Sequence, residues 1–139
     1  MKRTTFSLLV VDDDEDDRMI IDDAFLEIGY AGQVKKFMNG KMLFDYLEQI
    51  DPSFYPSLIV LDNTLPKMGA EDILTLLKES PAYQSIPVVV YTTSLSPSRQ
   101  EKLLQKGVYA CYQKGEVMEK VIELAKQLRE LAESNSPKE

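Results

Sequence analysis

Residues 58 to 62 read Leu58-Ile59-Val60-Leu61-Asp62, consecutive apolar side chains that end on a carboxylate. An uninterrupted apolar run is the pattern of a strand buried on both faces, which requires helices above and below a parallel sheet. Two further runs share it. Phe6 to Val11, Ser7 aside, leads into Asp12 and Asp13, and Val88 to Tyr91 leads into Thr92 and Thr93. These three are expected as central strands. Gln33 to Phe37 alternates poorly and carries Lys35 and Lys36, so it is placed at an edge, where charge discourages unwanted pairing. Tyr109 to Tyr112 is the fifth and shortest strand.

Between the strands the spacing of apolar residues changes to about 3.6. Ile20, Ile21, Ala24, Phe25 and Ile28 form the stripe of a first helix that Gly29 ends. Asn39 is placed to cap a second helix with Met42, Leu43, Tyr46, Leu47 and Ile50 inward. Ile73, Leu74, Leu76 and Leu77 serve a third. Val117, Val121, Leu124, Ala125, Leu128 and Leu131 mark a long closing helix. The fourth helix, about Pro97 to Lys106, offers only Leu103 and Leu104, so it is expected to be the least firmly anchored and the moving part. Five alternations of strand and helix give an α/β chain of repeated βα units.

Composition narrows the chemistry. At 139 residues the chain is expected to form one domain, residues 1–133, with a disordered tail over 134–139 and no separate output module. Hydrophobic residues at 44% and charged residues at 28% are globular proportions, so one core should form. The formal charge of −7 repels polyanions, which argues against nucleic acid as a partner. The apolar run near the start stops at Val11, too short for a signal peptide or a membrane span. A single cysteine, Cys111, excludes an internal disulfide framework and a multi-cysteine zinc site, and fits the reducing cytoplasm. The chain has no histidine, which removes Ser-His-Asp catalysis, histidine metal sites and a phosphohistidine carrier. Neither phosphate-loop string, Gly-x-Gly-x-x-Gly nor Gly-x-x-x-x-Gly-Lys-Ser/Thr, occurs.

In an open parallel sheet the ligand site lies at the carboxyl ends of the strands. There the sequence places Asp12 and Asp13, Asp62, Thr92 and Thr93, and, after the fifth strand, Lys114. Each pair of carboxylates at 4 Å repels by about 4 kcal/mol at an effective dielectric of 20. A proton or a hard divalent cation relieves that repulsion, and oxygen ligands favour magnesium or manganese over zinc. A cation, a spare carboxylate nucleophile and a fixed lysine suit phosphoryl transfer. Taken singly, the same residues have plainer readings. Asp14 to Asp17 complement the positive end of the first helix, Asp62 serves as a turn residue, and Lys114 sits on the surface.

Together these residues resemble the response-regulator receiver domains of two-component signalling. Leu8-Leu9-Val10-Val11-Asp12-Asp13 is similar to that family's first strand and acidic pair, and Leu58 to Met68 to its phosphoacceptor strand and loop. Pro87 to Ser94 and Gly107 to Lys114 resemble its switch-threonine and lysine segments, so the likeness runs from about residue 5 to residue 130. Leu61 to Met68 with Tyr91 to Ser94 is similar to stand-alone receivers associated with phytochrome-like histidine kinases. The resemblance implies a flavodoxin-like, doubly wound (βα)5 fold with a five-stranded parallel sheet ordered 2-1-3-4-5. It implies a regulatory phosphoacceptor rather than an enzyme. Asp62 would accept the phosphoryl group from a sensor histidine kinase or phosphotransfer protein. Mg2+, or Mn2+, would be held by Asp13, Asp62 and the backbone carbonyl of Thr64, with Asp12 acting through water. Lys114 and Thr92 would contact phosphoryl oxygens, and the α4-β5-α5 face would switch toward a downstream protein target or a second copy of the chain. No membrane partner is implied.

Three positions depart from the family pattern. Cys111 stands where an aromatic often rotates with the threonine, leaving Tyr109 or Tyr112 as substitutes. Gly115 replaces the proline that commonly follows the lysine, and Gly69-Ala70 replaces an acidic residue and glycine before the third helix. Thr64 and Ser94 are small hydroxyls rather than groups that align water, which predicts slow loss of the phosphoryl group. Two other readings fit parts of the pattern. Asp12-Asp13-Asp14 satisfies the Asp-x-Asp of an aspartyl-phosphate phosphatase of the haloacid dehalogenase type, with Asp12 as nucleophile. A receiver-like scaffold that is never phosphorylated is the other.

Overall fold

The computed structural model describes residues 7–30, 33–62, 68–92, 96–113 and 118–134. Strand and helix alternate throughout: β1 (Ser7–Val11), α1 (Glu15–Glu27), β2 (Gln33–Phe37), α2 (Gly40–Gln49), β3 (Leu58–Asp62), α3 (Ala70–Glu79), β4 (Val88–Thr92), α4 (Pro97–Gln105), β5 (Ala110–Gln113) and α5 (Met118–Ser134). A short 3-10 turn at Pro52–Phe54 precedes β3. The five strands are parallel in the order β2-β1-β3-β4-β5, so the lysine-bearing β2 lies at an edge and the aliphatic runs lie inside. This is the flavodoxin-like architecture, with crossover helices covering both faces.

Alternation along the strands divides the core into two layers. Leu9, Val11, Ile59, Leu61, Val88 and Val90 pack against α2, α3 and α4. Leu8, Val10, Leu58, Val60, Val89 and Tyr91 pack against α1 and α5. Every residue of β3 and β4 is buried, as continuous apolar runs require.

The helix ends follow local chemistry. Asp14 caps α1 by accepting from the amide of Asp17, and Asn39 caps α2 by accepting from Met42. Gly29, at φ +68°, ends the α1 segment in the left-handed region that glycine adopts without strain. At the start of α2, a Cβ on Gly40 would stand 2.9 Å from Ile73 Cδ1 and from Met68 Sδ, so a larger residue there would require those two side chains to shift. Gly69 precedes α3 without a side-chain cap.

Four apolar residues assigned to buried stripes are exposed: Ile20, Met42, Leu76 and Leu104. Each sits beside a buried neighbour (Ile21, Leu43, Leu77 and Leu103) at the rim of its stripe. Only Leu103 therefore anchors α4 fully, and a charged cluster supplements it. Glu71 of α3 accepts from Arg99, with Lys102 Nζ at 3.6 Å and Lys106 Nζ at 4.0 Å. Partial burial alone would raise the Glu71 carboxyl, but the three cations outweigh it and hold it below its ordinary value. The closing helix runs through Ser134, and the rest of the expected tail lies outside the described residues.

Candidate functional site

Parallel strands all end at the same rim, and β1, β3 and β4 are neighbours there or one strand removed. Val11 is level with Leu61, and Asp62 is level with Tyr91, so Asp12, Asp62 and Thr92 emerge side by side. Asp12 extends the β1 ladder by one bond, its amide donating to Phe37 O at 3.0 Å. Asp12, Asp62 and Thr92 are buried, and Asp13 is exposed. One carboxylate oxygen from each of Asp12, Asp13 and Asp62 can be chosen so that all lie within 4.8 Å of one another. Thr64 and Lys114, the other residues expected at the site, lie outside the described residues, as do Ser94 and Gly115.

The loop that bears the acidic pair is tightly tied. Asp12 Oδ1 accepts from the Asp14 amide at 3.0 Å, and Asp12 Oδ2 accepts from the Tyr91 hydroxyl. Arg18, one turn into α1, donates Nη1 to the Asp12 carbonyl oxygen at 2.7 Å. Burial, then the charge of Asp12 and the hydrogen bond to it, push the Tyr91 phenol far above its ordinary value. Its hydroxyl is therefore a donor at every physiological pH. Two buried acids and a third at the surface, with one oxygen of each within 4.8 Å of the others, form a donor set of oxygens alone. That set favours a hard, oxygen-seeking divalent cation such as magnesium or manganese over zinc or copper.

Neither tyrosine substitute for the missing aromatic stands beside Thr92. Tyr112 packs into the α1 and α5 layer, opposite Tyr91, while Val90 and Cys111 lie level on the other face. Tyr109 is exposed and precedes the strand. Cys111 is half-buried, and burial raises its thiol above the ordinary value while Arg99 pulls the other way. It contributes a small packed side chain at that position.

Sequence reasoning placed the acids and the threonine but not Tyr91, Arg18 or the Glu71 cluster. A signal for the first was present. A hydroxyl-bearing ring within an otherwise aliphatic strand must find an acceptor once buried, and the nearest strand-end acids are the obvious ones.

No helix of the described residues is long and apolar enough to cross a membrane. A family model, the response regulator receiver domain, matches residues 8–126. The chain is 36% identical over 93 residues to the probable methanogenesis regulatory protein FilR2 of Methanothrix harundinacea, covering 66% of this chain and 60% of that protein. It is 30% identical over 90 residues to response regulator Rcp1 of Synechocystis sp., covering 63% and 61%. The alignments thus span less than two thirds of these curated relatives. The Mn2+-bound form of Rcp1 superposes with a TM-score of 0.75 at 24% identity over 88% of this chain and 91% of that one, a likeness of fold. The phosphorylated cyanobacterial phytochrome response regulator RcpA superposes with a TM-score of 0.82 at 25% identity, covering 96% and 98%.

Proposed function

The chain belongs to the response regulator receiver domain family, and from that membership we propose that it is a phosphoacceptor whose acceptor residue is Asp62. The reading is carried by one observation: three carboxylates meet at the strand-end rim, with Asp62 the buried last residue of β3. The donor is the phosphohistidine of a sensor histidine kinase or phosphotransfer protein, because this chain holds no histidine of its own. The Asp62 carboxylate oxygen attacks phosphorus, the N–P bond breaks, and the imidazole leaves and regains a proton. The product is an acyl phosphate on Asp62. Asp13 and Asp62, with the Thr64 carbonyl, would hold Mg2+ or Mn2+, and Asp12 would act through water. When bound, the cation neutralises the equatorial oxygens of the group in transfer. Thr92 and Lys114 hydrogen-bond the phosphoryl oxygens, and the contacts of Thr92 bias the α4-β5-α5 face toward a protein partner. The domain assists its own phosphorylation and its loss but turns over no separate substrate.

The phosphatase reading is not favoured. It makes Asp12 the nucleophile, yet both Asp12 carboxylate oxygens accept hydrogen bonds, from Asp14 and Tyr91. The test is incubation of the purified chain with acetyl phosphate and Mg2+, followed by intact-mass measurement. One phosphoryl group should be gained, be released by mild alkali, and be absent from Asp62→Asn. No gain, or a gain that persists in Asp62→Asn, would overturn the reading. Repeated turnover of a phosphate ester, lost in Asp12→Asn and kept in Asp62→Asn, would replace it with the phosphatase.

A further inference from the structure

We propose that Tyr91 is a positioning residue of the cation site: its hydroxyl pins the Asp12 carboxylate so that Asp12 serves the cation through water and leaves direct ligation to Asp13 and Asp62. The inference rests on the receiver reading above and adds to it a residue outside the set of strand-end acids, threonine and lysine.

The geometry carries the argument. Tyr91 belongs to β4 and Asp12 follows β1, and β3 runs between these strands. Two strand spacings are about 9–10 Å. The phenol reaches across β3, on which Asp62 is its register partner, and its hydroxyl donates a hydrogen bond to Asp12 Oδ2. The ring is held for this task. It is buried among Val10, Val60 and Val89 in the layer covered by α1 and α5.

The other carboxylate oxygen, Oδ1, is engaged by the Asp14 amide, and the Asp12 carbonyl by Arg18. A carboxylate with a fixed donor on each oxygen cannot rotate to chelate. A carboxylate oxygen has two lone pairs, so each can accept from a cation-bound water in addition to its fixed donor. Partners of this kind that orient the groups around a metal typically change its affinity by 10–100-fold when removed, a range set by about as much orientation as is lost. One hydroxyl from one carboxylate corresponds to the lower end, about tenfold. The link has a second consequence, because the next residue is Thr92. Filling the cation site and placing the end of β4 become one event.

Tyr91→Phe tests this, since it keeps the ring and removes only the hydroxyl. Binding of Mn2+ alone is followed by the electron paramagnetic resonance signal of the free ion, for the unsubstituted chain, Tyr91→Phe, Asp12→Asn and the double variant. The expected result is binding about tenfold weaker in Tyr91→Phe, with an unchanged far-ultraviolet circular dichroism spectrum. In the Asp12→Asn background the same change should have little effect, which a purely structural role for the tyrosine would not produce. Equal or tighter binding in Tyr91→Phe would overturn the proposal, as would an equal loss in both backgrounds. If the unsubstituted chain binds Mn2+ and Asp13→Asn abolishes it, such a result removes the role of Tyr91 and leaves the receiver reading standing. If the unsubstituted chain binds no Mn2+, both fall. Should Tyr91→Phe fail to fold, the Tyr91 hydroxyl proton of the unsubstituted chain is followed by NMR. A shift on adding Mg2+ supports the proposal, and its absence counts against it.

Discussion

Asp62 and Asp12 are both buried strand-end acids, Asp62 the last residue of β3 and Asp12 the residue that follows β1. Asp12 is fixed by donors on both carboxylate oxygens, the Asp14 amide and the Tyr91 hydroxyl. That clamp was not legible in the sequence, which shows two similar hydrophobic runs ending in aspartate. Their convergence was legible, because parallel strands with crossover helices must end at one rim whatever the loops do. Tyr91 was not singled out because an aromatic in a strand reads first as β-propensity, and its acceptor lies 79 residues away in sequence. A prediction follows from two small hydroxyls near the acceptor. Thr64 and Ser94, two beyond Asp62 and Thr92, carry neither an amide nor a carboxylate to align an attacking water. Once formed, the phosphoryl group should persist for minutes or longer at neutral pH. A time course of intact mass after removal of the phosphodonor measures this, and loss within seconds would contradict it.

Among the elements, α4 shows where pattern reading stops. One buried leucine, Leu103, is a small apolar anchor, and the sequence showed that weakness correctly. The contribution of Glu71 was invisible, because it comes from α3 and meets Arg99, Lys102 and Lys106 only after both helices are placed. The carboxyl is held below its ordinary value, so the folded state binds its proton less readily than the unfolded chain does. The stabilisation is therefore fully present above the unfolded value, about 4.3, and is lost as pH falls through the lower folded value. Glu71→Gln should cost about 0.5–1 kcal/mol at neutral pH. Chemical denaturation across pH should show the difference between Glu71→Gln and the unsubstituted chain shrinking below about pH 4. Amide exchange should be faster in α4 of the variant than in the unsubstituted chain. A difference that stays constant into acid would mean the cations do not stabilise the carboxylate.

Across the whole molecule, 23 acidic residues against 16 basic ones leave a charge of −7, and the strand-end rim concentrates that excess where solvent screens it least. A fold that gathers carboxylates in this way is less stable without a cation than its core alone would make it. Two of the acids at 4 Å repel by about 4 kcal/mol at an effective dielectric of 20, reduced here because Asp13 is exposed. Asp62→Asn removes one charge at nearly constant shape. Without divalent cation it should raise stability by about 1–2 kcal/mol, or a few degrees in the thermal midpoint for a domain of this size. Mg2+ acts unequally on the two proteins. A cation at about 100 times its dissociation constant stabilises the folded state by about 2.7 kcal/mol, so the unsubstituted chain should gain several degrees on adding Mg2+. The asparagine variant, with one ligand and one charge fewer, should gain much less. The ranking of the two proteins in calorimetry should therefore narrow or reverse between chelator and Mg2+. Parallel shifts in both, or a variant less stable in chelator, would show that repulsion at the rim is not what the cation relieves.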